Sequence, residues 1–438
     1  MTVAHCPALL VTAPASDSGK TTVVAAMARY WRNRGKRVRV FKTGPDFIDP
    51  KFHEVASGEP AYQLDLGMMG EAQCRRHLYR AAREADLILI EGVMGMFDGT
   101  TSSADLAVAF GVPALAVIPA AKMAQTFGAI ACGLAHYRPD VTLFGVVANQ
   151  VGSAGHATLL RHSVPDGIAF CGWLPRDESL ALPDRHLGLV QAEELPDLDA
   201  WLDAAAQKLG ESCDMPLPEP VAFQAGPEDE ALQCLGQPLA GQRIAVAQDA
   251  AFAFVYHDNL SLLTQLGAEL VTFSPLAGEG LPTCDSLYLP GGYPELHTGA
   301  LGANNVLSQQ IRDHIEADKP VVAECGGMLY LLQQLTDIEG QIHAMVGALP
   351  GSAIMQSRLQ GIGILVAELE QNQIKGHCFH YSSSDIQLTP VTEAVQRGRV
   401  RVGEPVYTHR RVVASYVHWY FASAPALVAR WFDANKES

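Results

Sequence analysis

Two widely separated segments of the chain carry the residue types of two different reactions. Residues 13–22 read Ala-Pro-Ala-Ser-Asp-Ser-Gly-Lys-Thr-Thr, a turn with a glycine, a lysine and several hydroxyl groups. Residues 321–328 read Val-Val-Ala-Glu-Cys-Gly-Gly-Met, a thiol followed by two glycines. The first pattern is typical of triphosphate binding and the second of a nucleophilic cysteine. Together they predict a ligase that releases ammonia from glutamine at one site and uses ATP to attach it at another.

The first segment predicts a phosphate-binding loop between an apolar strand and a helix. Backbone N–H groups at such a turn converge on anionic oxygens, while Lys20 adds a point charge and Thr21 offers a hydroxyl to Mg²⁺. Pro14 occupies the first glycine position of the common pattern, and an ordinary strand-to-helix turn is the alternative. Asn149, after a later strand, is a candidate for the base edge or a simple turn residue. The candidate nucleotide-binding residues are Ser18, Gly19, Lys20, Thr21, Thr22, Lys42 and Asn149.

Three acidic residues follow predicted parallel strands, at the edge where open α/β sheets bind ligands. They are Asp46, Glu91 and Asp98. Acids beside a triphosphate repel it unless a cation lies between them, so we expect Mg²⁺ held by Thr21, Asp46 and Glu91. Lys42 would add positive charge near the transferring phosphoryl group. The alternative is that these acids are solvated loop residues.

The second segment has the features of a nucleophile elbow. Cys325 follows an apolar strand and precedes two glycines and a predicted helical run at 328–335. A helix N-terminus there would lower the thiol pKa, and His418 is the expected base. Gly291 and Gly292 offer backbone amides for an oxyanion hole. A buried structural cysteine is the alternative, but the order of glycine turn, elbow and late histidine favours a glutaminase.

The elements that must position these residues are short apolar strands that alternate with helices. Strands are predicted at 8–12, 36–42, 86–90, 114–118, 143–148, 243–248, 269–273, 286–289 and 320–323, and helices at 20–34, 259–266 and 304–315. This alternation predicts parallel sheets covered on both faces. A Pro-rich and then acidic, Gln-rich stretch interrupts it. The fold class is therefore α/β with two doubly wound domains, at 1–208 and 241–438, joined by a linker at 209–240.

The composition excludes several classes of protein. Of 438 residues, 48% are hydrophobic and 18% are charged, as in globular proteins with ordinary cores. The formal charge of −16 argues against a nucleic-acid partner, which requires a clustered positive surface. The nine cysteines form no CxxC pair, so neither a zinc site nor a disulfide framework is expected. No long apolar segment predicts a signal peptide or a membrane span, and a cytoplasmic location is expected.

The motifs resemble the cobyrinic acid and hydrogenobyrinic acid a,c-diamide synthases of cobalamin biosynthesis nearly end to end. The segments that carry the resemblance are 41–50, 63–66, 91–99 and 377–382. The resemblance implies an N-terminal dethiobiotin-synthetase-like P-loop domain and a C-terminal class I glutamine amidotransferase domain. It also implies ATP-dependent and Mg²⁺-dependent amidation of the a and c side chains of a corrin, through an acyl phosphate, and it is compatible with a homodimer.

The same resemblance extends to individual residues. It implies that Asp46, Glu91 and Asp98 serve the metal and the amidation reaction. His380 and Tyr381 lie in a motif that would meet the corrin substrate, with a packing role as the alternative. The sequence departs from the wider amidotransferase pattern at Tyr420, where many class I members have a glutamate.

Two further departures concern the choice of substrate. Gly67 stands where a tryptophan is frequent in the hydrogenobyrinate branch, and Cys378 replaces a commoner glutamate. The remaining pattern leans toward the metal-free substrate. A ligase for another tetrapyrrole or another corrin carboxylate would share every motif, and a ParA-like ATPase with a non-catalytic glutaminase domain is the alternative from a different class.

Overall fold

The chain divides into two units, 1–227 and 228–438. The computed structural model describes residues 2–180, 192, 195, 197–213, 216–227, 230–396 and 403–435. No helix in these described residues combines the length and apolarity needed to cross a bilayer. The two units are described separately below.

Unit 1 is built on an eight-stranded sheet with helices between its strands. Its strands are β1 (Val3–Thr12), β2 (Val38–Thr43), β3 (Tyr62–Leu64), β4 (Leu87–Glu91), β5 (Ala114–Pro119), β6 (Leu143–Val151), β7 (Ala169–Pro175) and β8 (Pro220–Gln224). Its helices are α1 (Lys20–Arg32), α2 (Asp49–Ser57), α3 (Glu71–Ala82), α4 (Ser103–Phe110), α5 (Thr126–His136), α6 (Ala154–Ser163) and α7 (Leu198–Ser212). Seven strands run parallel in the order β3-β2-β4-β1-β5-β6-β7, and β8 pairs antiparallel with β1.

The central strands of unit 1 are apolar because helices cover both faces of the sheet. All five residues of β4 are buried, as are residues 8–12 of β1. The strands β2, β4 and β1 are adjacent, so the loops that follow them meet at one edge of the sheet. This edge carries the predicted nucleotide site.

The predicted linker at 209–240 contains regular structure. Helix α7 continues to Ser212, and β8 lies within unit 1. The reason is the length of β1: residues 8–12 pair with its parallel neighbours, while residues 3–7 extend beyond them and pair with β8. Strand β8 thereby satisfies backbone groups that would otherwise form an open edge. The division between units accordingly falls at Pro227 rather than at residue 208.

Unit 2 combines one larger sheet with two small ones. Its strands are β9 (Arg243–Ala247), β10 (Glu269–Phe273), β11 (Ser286–Leu289), β12 (Val321–Glu324), β13 (Gln334–Thr336), β14 (Ile342–Ala344), β15 (Gly351–Met355), β16 (Gly361–Leu369), β17 (Asn372–His380), β18 (Ser382–Ile386), β19 (Thr392–Ala394), β20 (Glu404–His409), β21 (Val412–Ser415) and β22 (His418–Tyr420). Its helices are α8 (Glu230–Leu235), α9 (His257–Gln265), α10 (Thr298–Ala303), α11 (Asn305–Glu316), α12 (Gly326–Leu331) and α13 (Pro425–Phe432).

The larger sheet of unit 2 has the order β10-β9-β11-β12-β21-β20-β19, parallel through β21 and antiparallel beyond it. The small sheets, β14-β13-β15-β18 and β16-β17-β22, were not predicted from the sequence. The predicted helical run at 328–335 was too long, because the helix begins at Gly326 and ends at Leu331. Leu332 then adopts extended backbone, which leads the chain into β13.

Candidate active sites

The loop between β1 and α1 is shaped by left-handed backbone and internal hydrogen bonds. Asp17 and Gly19 have φ values of 58° and 87°. The hydroxyl of Ser18 donates to the carbonyl of Ala15 at 2.8 Å, and the Lys20 ammonium donates to the carbonyl of Met94 at 2.7 Å. Burial lowers the pKa of Lys20, against the nearby carboxylates. The loop thus presents the start of α1 with a buried lysine beside it, as a phosphate site requires.

Asn149 holds this loop in place through a hydrogen bond. Its amide nitrogen donates to the carbonyl of Ser18 at 3.0 Å, and a Cβ placed on Gly19 would lie 2.1 Å from the same nitrogen. A side chain at Gly19 would therefore collide with the asparagine. Contact between Asn149 and a base edge stays a prediction. Thr22 lies with Thr21 in the first turn of α1.

Glu91 is the centre of a buried polar cluster at the ends of β2 and β4. Its Oε1 accepts from the Thr21 hydroxyl at 2.8 Å and from the Lys42 ammonium at 2.9 Å, and its Oε2 contacts His53 Nε2. Lys42 also donates to Asp49. Thr21, Lys42 and Glu91 therefore lie together at this edge of the sheet.

The charges of the cluster shift one another's pKa. Burial alone would raise the pKa of Glu91, but the charges of Lys42 and His53 lower it well below its usual value. Burial works to lower the pKa of Lys42, and the surrounding carboxylates, Glu91 first, raise it well above its usual value. Burial and the nearby Asp46 raise the pKa of Asp49. Both Glu91 and Lys42 are therefore held in their charged forms.

The other two predicted acids lie in loops beside this cluster. Asp46 Oδ1 accepts from the backbone N–H groups of Ile48 and Asp49, and its Oδ2 lies 3.6 Å from Lys42 Nζ. Asp98 Oδ2 accepts from Gly95 N at 3.0 Å, in the loop after β4. Asp46 thus joins the cluster through Lys42, whereas the recorded bond of Asp98 shapes its own loop.

Asp49 and His53 were not predicted as site residues. They are four residues apart, so they share one face of α2, and both reach the cluster. The signal for them was the spacing Asp-x-x-x-His after a strand. The donor set at this edge, with the Thr21 hydroxyl and the carboxylates of Glu91, Asp46 and Asp49, consists of the oxygens that Mg²⁺ prefers.

In unit 2, Cys325 lies at the sharp turn predicted for an elbow. It follows β12 and precedes α12, with φ 44° and ψ −106°, a backbone conformation that a non-glycine residue rarely adopts. Its backbone N–H donates to the carbonyl of Ser415 at 2.7 Å, and its carbonyl accepts from Leu329 N at 2.9 Å. The turn is therefore fixed on both sides, by β21 and by the first turn of α12.

The glycine turn after β11 packs against both the elbow and the histidine. A Cβ on Gly326 would lie 3.0 Å from Gly292 N, and a Cβ on Gly291 would lie 2.1 Å from Cε1 of His418. These close approaches require glycine at positions 291 and 326. They bring together Gly291, Gly292, the elbow and His418, the residues that the sequence predicted for the glutaminase site.

A residue that the sequence prediction missed connects these elements. Glu324 immediately precedes Cys325, and its side chain is 1% exposed. Its Oε1 accepts from the backbone N–H of Trp419 at 3.0 Å, and its Oε2 accepts from the Tyr288 hydroxyl at 2.8 Å. Because Trp419 follows His418, one carboxylate joins the strands that carry the nucleophile, the base and the glycine turn. Its position beside the thiol in the sequence was the available signal.

Burial sets the protonation states of the dyad. It raises the pKa of the Cys325 thiol, with the charge of Glu295 next in effect, so the expected lowering by the helix N-terminus does not prevail. Burial, followed by the charges of His377 and His380, lowers the pKa of His418 to about 3. His418 is therefore neutral, but both shifts oppose transfer of the thiol proton to it before glutamine binds.

The remaining predicted residues lie near the end of β17. His380 is buried, its ring stacks on Tyr416 with centroids 3.7 Å apart, and Nδ1 donates to the carbonyl of Ser382. Tyr381 is half-buried and follows it. Contact of these residues with a corrin stays a prediction. Tyr420 is buried and donates to Asp258 at 3.2 Å, so it packs within unit 2.

Comparisons with known proteins match a family domain in each unit. Residues 9–190 match the CobQ/CobB/MinD/ParA nucleotide binding domain, and residues 243–426 match the CobB/CobQ-like glutamine amidotransferase domain. The hydrogenobyrinate a,c-diamide synthase of Pseudomonas aeruginosa is 54% identical over 99% of this chain and 100% of its own length, and that of Stutzerimonas stutzeri is 55% identical over 98% and 99%. The cobyrinate a,c-diamide synthase of Herminiimonas arsenicoxydans is 45% identical over 97% and 96%.

These full-length matches confirm the α/β fold with two domains and the resemblance first drawn from the motifs. They also confirm the nucleotide-binding character of unit 1 and the amidotransferase character of unit 2. The chain belongs to the a,c-diamide synthase family.

Proposed function

We propose that this protein uses ATP and glutamine to amidate the a and c side-chain carboxylates of hydrogenobyrinic acid or cobyrinic acid. The observation that carries the proposal is the identity of 54% and 55% to two hydrogenobyrinate a,c-diamide synthases over nearly the whole chain. It is supported by two sites of matching chemistry, the Glu91 cluster in unit 1 and the Cys325–His418 pair in unit 2.

The ligase reaction requires activation, because a carboxylate is a poor electrophile with a poor leaving group. Bound Mg-ATP would supply the phosphoryl group that turns the carboxylate into an acyl phosphate. Lys20 and the N–H groups at the start of α1 would hold the phosphates, and Thr21, Glu91 and Asp46 would hold the metal. Lys42 would stabilise negative charge near the transferring group. Ammonia then displaces phosphate and leaves the amide.

The glutaminase reaction would proceed through Cys325. Its proton passes to His418 as the sulfur attacks the carboxamide carbon of glutamine, and the N–H groups at Gly291 and Gly292 stabilise the oxyanion. His418 returns the proton to the departing ammonia, and water hydrolyses the thioester to glutamate. A cytoplasmic location, where thiols stay reduced, suits this chemistry.

Between the two corrinoids, we propose the metal-free substrate. The two hydrogenobyrinate enzymes share 54% and 55% identity with this chain, whereas the cobyrinate enzyme of Herminiimonas arsenicoxydans shares 45%. The sequence motifs also favour the metal-free substrate.

Mass spectrometry of both corrinoids after incubation with the protein, Mg-ATP and glutamine tests the proposal. Two successive carboxylate-to-amide mass changes on hydrogenobyrinic acid are expected. The variant Cys325→Ala should lose the glutamine-driven reaction and keep the reaction driven by ammonium salts, since only the ammonia source is removed. No mass change on either ring, with glutaminase and ATPase activities intact, would refute the corrinoid assignment and leave another carboxylate as the substrate.

A further inference from the structure

Three side chains of unit 2 converge on one point that no step of the proposed reaction uses. Cys378, His380 and Glu404 each offer a ligand atom, and these atoms lie within 4.8 Å of one another. A Cβ placed on Gly361 would lie 2.5 Å from His380 Nε2, 2.6 Å from Glu404 Oε1 and 2.7 Å from Cys378 Sγ. Because residue 361 is a glycine, this position among the three atoms holds no side chain.

The tautomer and orientation of His380 suit a metal ligand. Its Nδ1 lies 2.8 Å from the carbonyl of Ser382, which only accepts, so Nδ1 carries the proton. The stacked Tyr416 ring, with 5° between the planes, fixes the orientation of the imidazole. In the neutral ring the lone pair of Nε2 then points toward Glu404 Oε1, 3.2 Å away. A histidine that donates its other N–H to a backbone carbonyl is the usual arrangement at metal sites.

Two acceptors at this distance repel each other unless a proton or a cation lies between them. In the absence of an ion, a second ring proton on His380 and the thiol proton of Cys378 would both face Glu404. A divalent cation would satisfy the lone pairs of nitrogen, oxygen and sulfur together. With Cys378 as thiolate and Glu404 as carboxylate, the two negative charges would balance the cation, which favours a site as buried as this one.

We propose that Cys378, His380 and Glu404 bind a divalent transition-metal ion of the zinc class. Thiolate, imidazole and carboxylate together are ligands that Zn²⁺ accepts, and three protein ligands leave a fourth position open. Binding releases the thiol proton to solvent and forms the sulfur–metal bond, with no change of oxidation state. The three ligand atoms lie within 4.8 Å of one another, slightly farther apart than zinc bonds of about 2.0–2.3 Å to a shared ion allow, so small side-chain shifts close the site.

The charges of the proposed metal ligands and of the glutaminase nucleophile Cys325 affect one another. After burial, the charges of Glu404 and Cys325 raise the pKa of Cys378, and the charge of Glu404 also acts on Cys325. A zinc titration must therefore distinguish the proposed ligands from the nucleophile itself. The inference stands apart from the proposed amidation, since metal binding is measured without any corrinoid.

The test is metal binding by the full-length, tag-free protein after treatment with a chelator. Zn²⁺ is titrated in competition with a chromophoric chelator, and Co²⁺ is used as a spectroscopic probe because only a thiolate ligand gives a sulfur-to-cobalt charge-transfer band. One Zn²⁺ ion and the cobalt band are expected in the wild type. Cys378→Ser and Glu404→Gln should each weaken zinc binding at least about tenfold, and Cys378→Ser should remove the band.

Two controls separate this site from other thiols. Cys325→Ala, and Cys234→Ser at an exposed cysteine, should keep both signals. Gly361→Ala retains every ligand but places a methyl group within 2.7 Å of all three ligand atoms, so it should lose the metal, and the crowding should also lower its thermal stability. The proposal is overturned if the wild type binds no zinc, if Cys378→Ser binds it with unchanged affinity, or if Cys325→Ala loses the cobalt band.

Discussion

Replacing Glu324 by glutamine is expected to remove a pH dependence from the stability of unit 2. Burial raises the pKa of Glu324 from 4.5 to about 8. Between these values the folded state retains a proton that the unfolded state has lost, so stability falls as the pH rises. The shift is roughly 3.5 units, and at about 1.4 kcal/mol per unit it gives about 5 kcal/mol over the full range.

Glutamine keeps the shape and the main contacts but cannot ionise. Its amide oxygen can accept from Trp419 N, and its NH₂ group can donate to the Tyr288 oxygen, whose hydroxyl is free to rotate. Relative to the wild type, Glu324→Gln should therefore gain about 2–3 kcal/mol in stability when the pH rises from 5.5 to 7.5. Glu324→Ala instead leaves the Trp419 N–H buried without its acceptor and should cost about 1–3 kcal/mol at both pH values.

Hydrogen exchange read by mass spectrometry on the peptide that contains Trp419 reports the opening of this part of unit 2. Comparing wild type and Glu324→Gln at the same pH cancels the intrinsic effect of pH on exchange. The ratio of their protection factors should change by about 30-fold to 150-fold between pH 5.5 and 7.5, the equivalent of 2–3 kcal/mol. A ratio that stays constant would show that Glu324 is already ionised in the folded state, and the reasoning would fail.

Three further substitutions test the two sites. Gly291→Ala places a methyl group 2.1 Å from Cε1 of His418. Glutamine-driven amidation should therefore fall at least about 100-fold while the ammonium-driven rate stays unchanged. Equal loss of both rates would contradict this. Lys42→Met leaves Glu91 buried with only His53 beside it and should destabilise unit 1 by about 3–5 kcal/mol, read by calorimetry. An unchanged melting transition would argue against the cluster. Asn149→Ala removes one hydrogen bond to the phosphate loop. It should raise the KM for ATP severalfold without changing glutaminase activity. An unaltered KM would show that Asn149 does not contribute to nucleotide binding.

The parts of the fold that the sequence predicts well are those with local causes. The strands at 269–273 and 286–289 were predicted with the observed bounds, because both are short runs of strand-forming residues between turns. The loop before α1 and the elbow at Cys325 were also predictable, since both depend on glycines within a few residues. Strand β8 was not predicted, because its pairing partner in β1 lies at the other end of the unit.

The missed site residues have partners that are distant in sequence. Glu324 could be noticed beside Cys325, but its acceptor role depends on Trp419, 95 residues later. His53 becomes a site residue only because α2 packs where β4 ends at Glu91. Such contacts follow from the order of strands in the sheet, which local propensity does not determine.

The number of free lone pairs on the Glu91 carboxylate limits how it can bind a metal ion. A carboxylate has about four lone-pair sites. Among the described residues, Oε1 accepts from both Thr21 and Lys42, and Oε2 contacts His53. One position on Oε2 is left for Mg²⁺, so Glu91 could take the metal without releasing Lys42. The lysine and the histidine would then act as positioning residues that hold the carboxylate ionised and fix the direction of its remaining lone pair, which is how a fully buried acid can be kept ready for a cation.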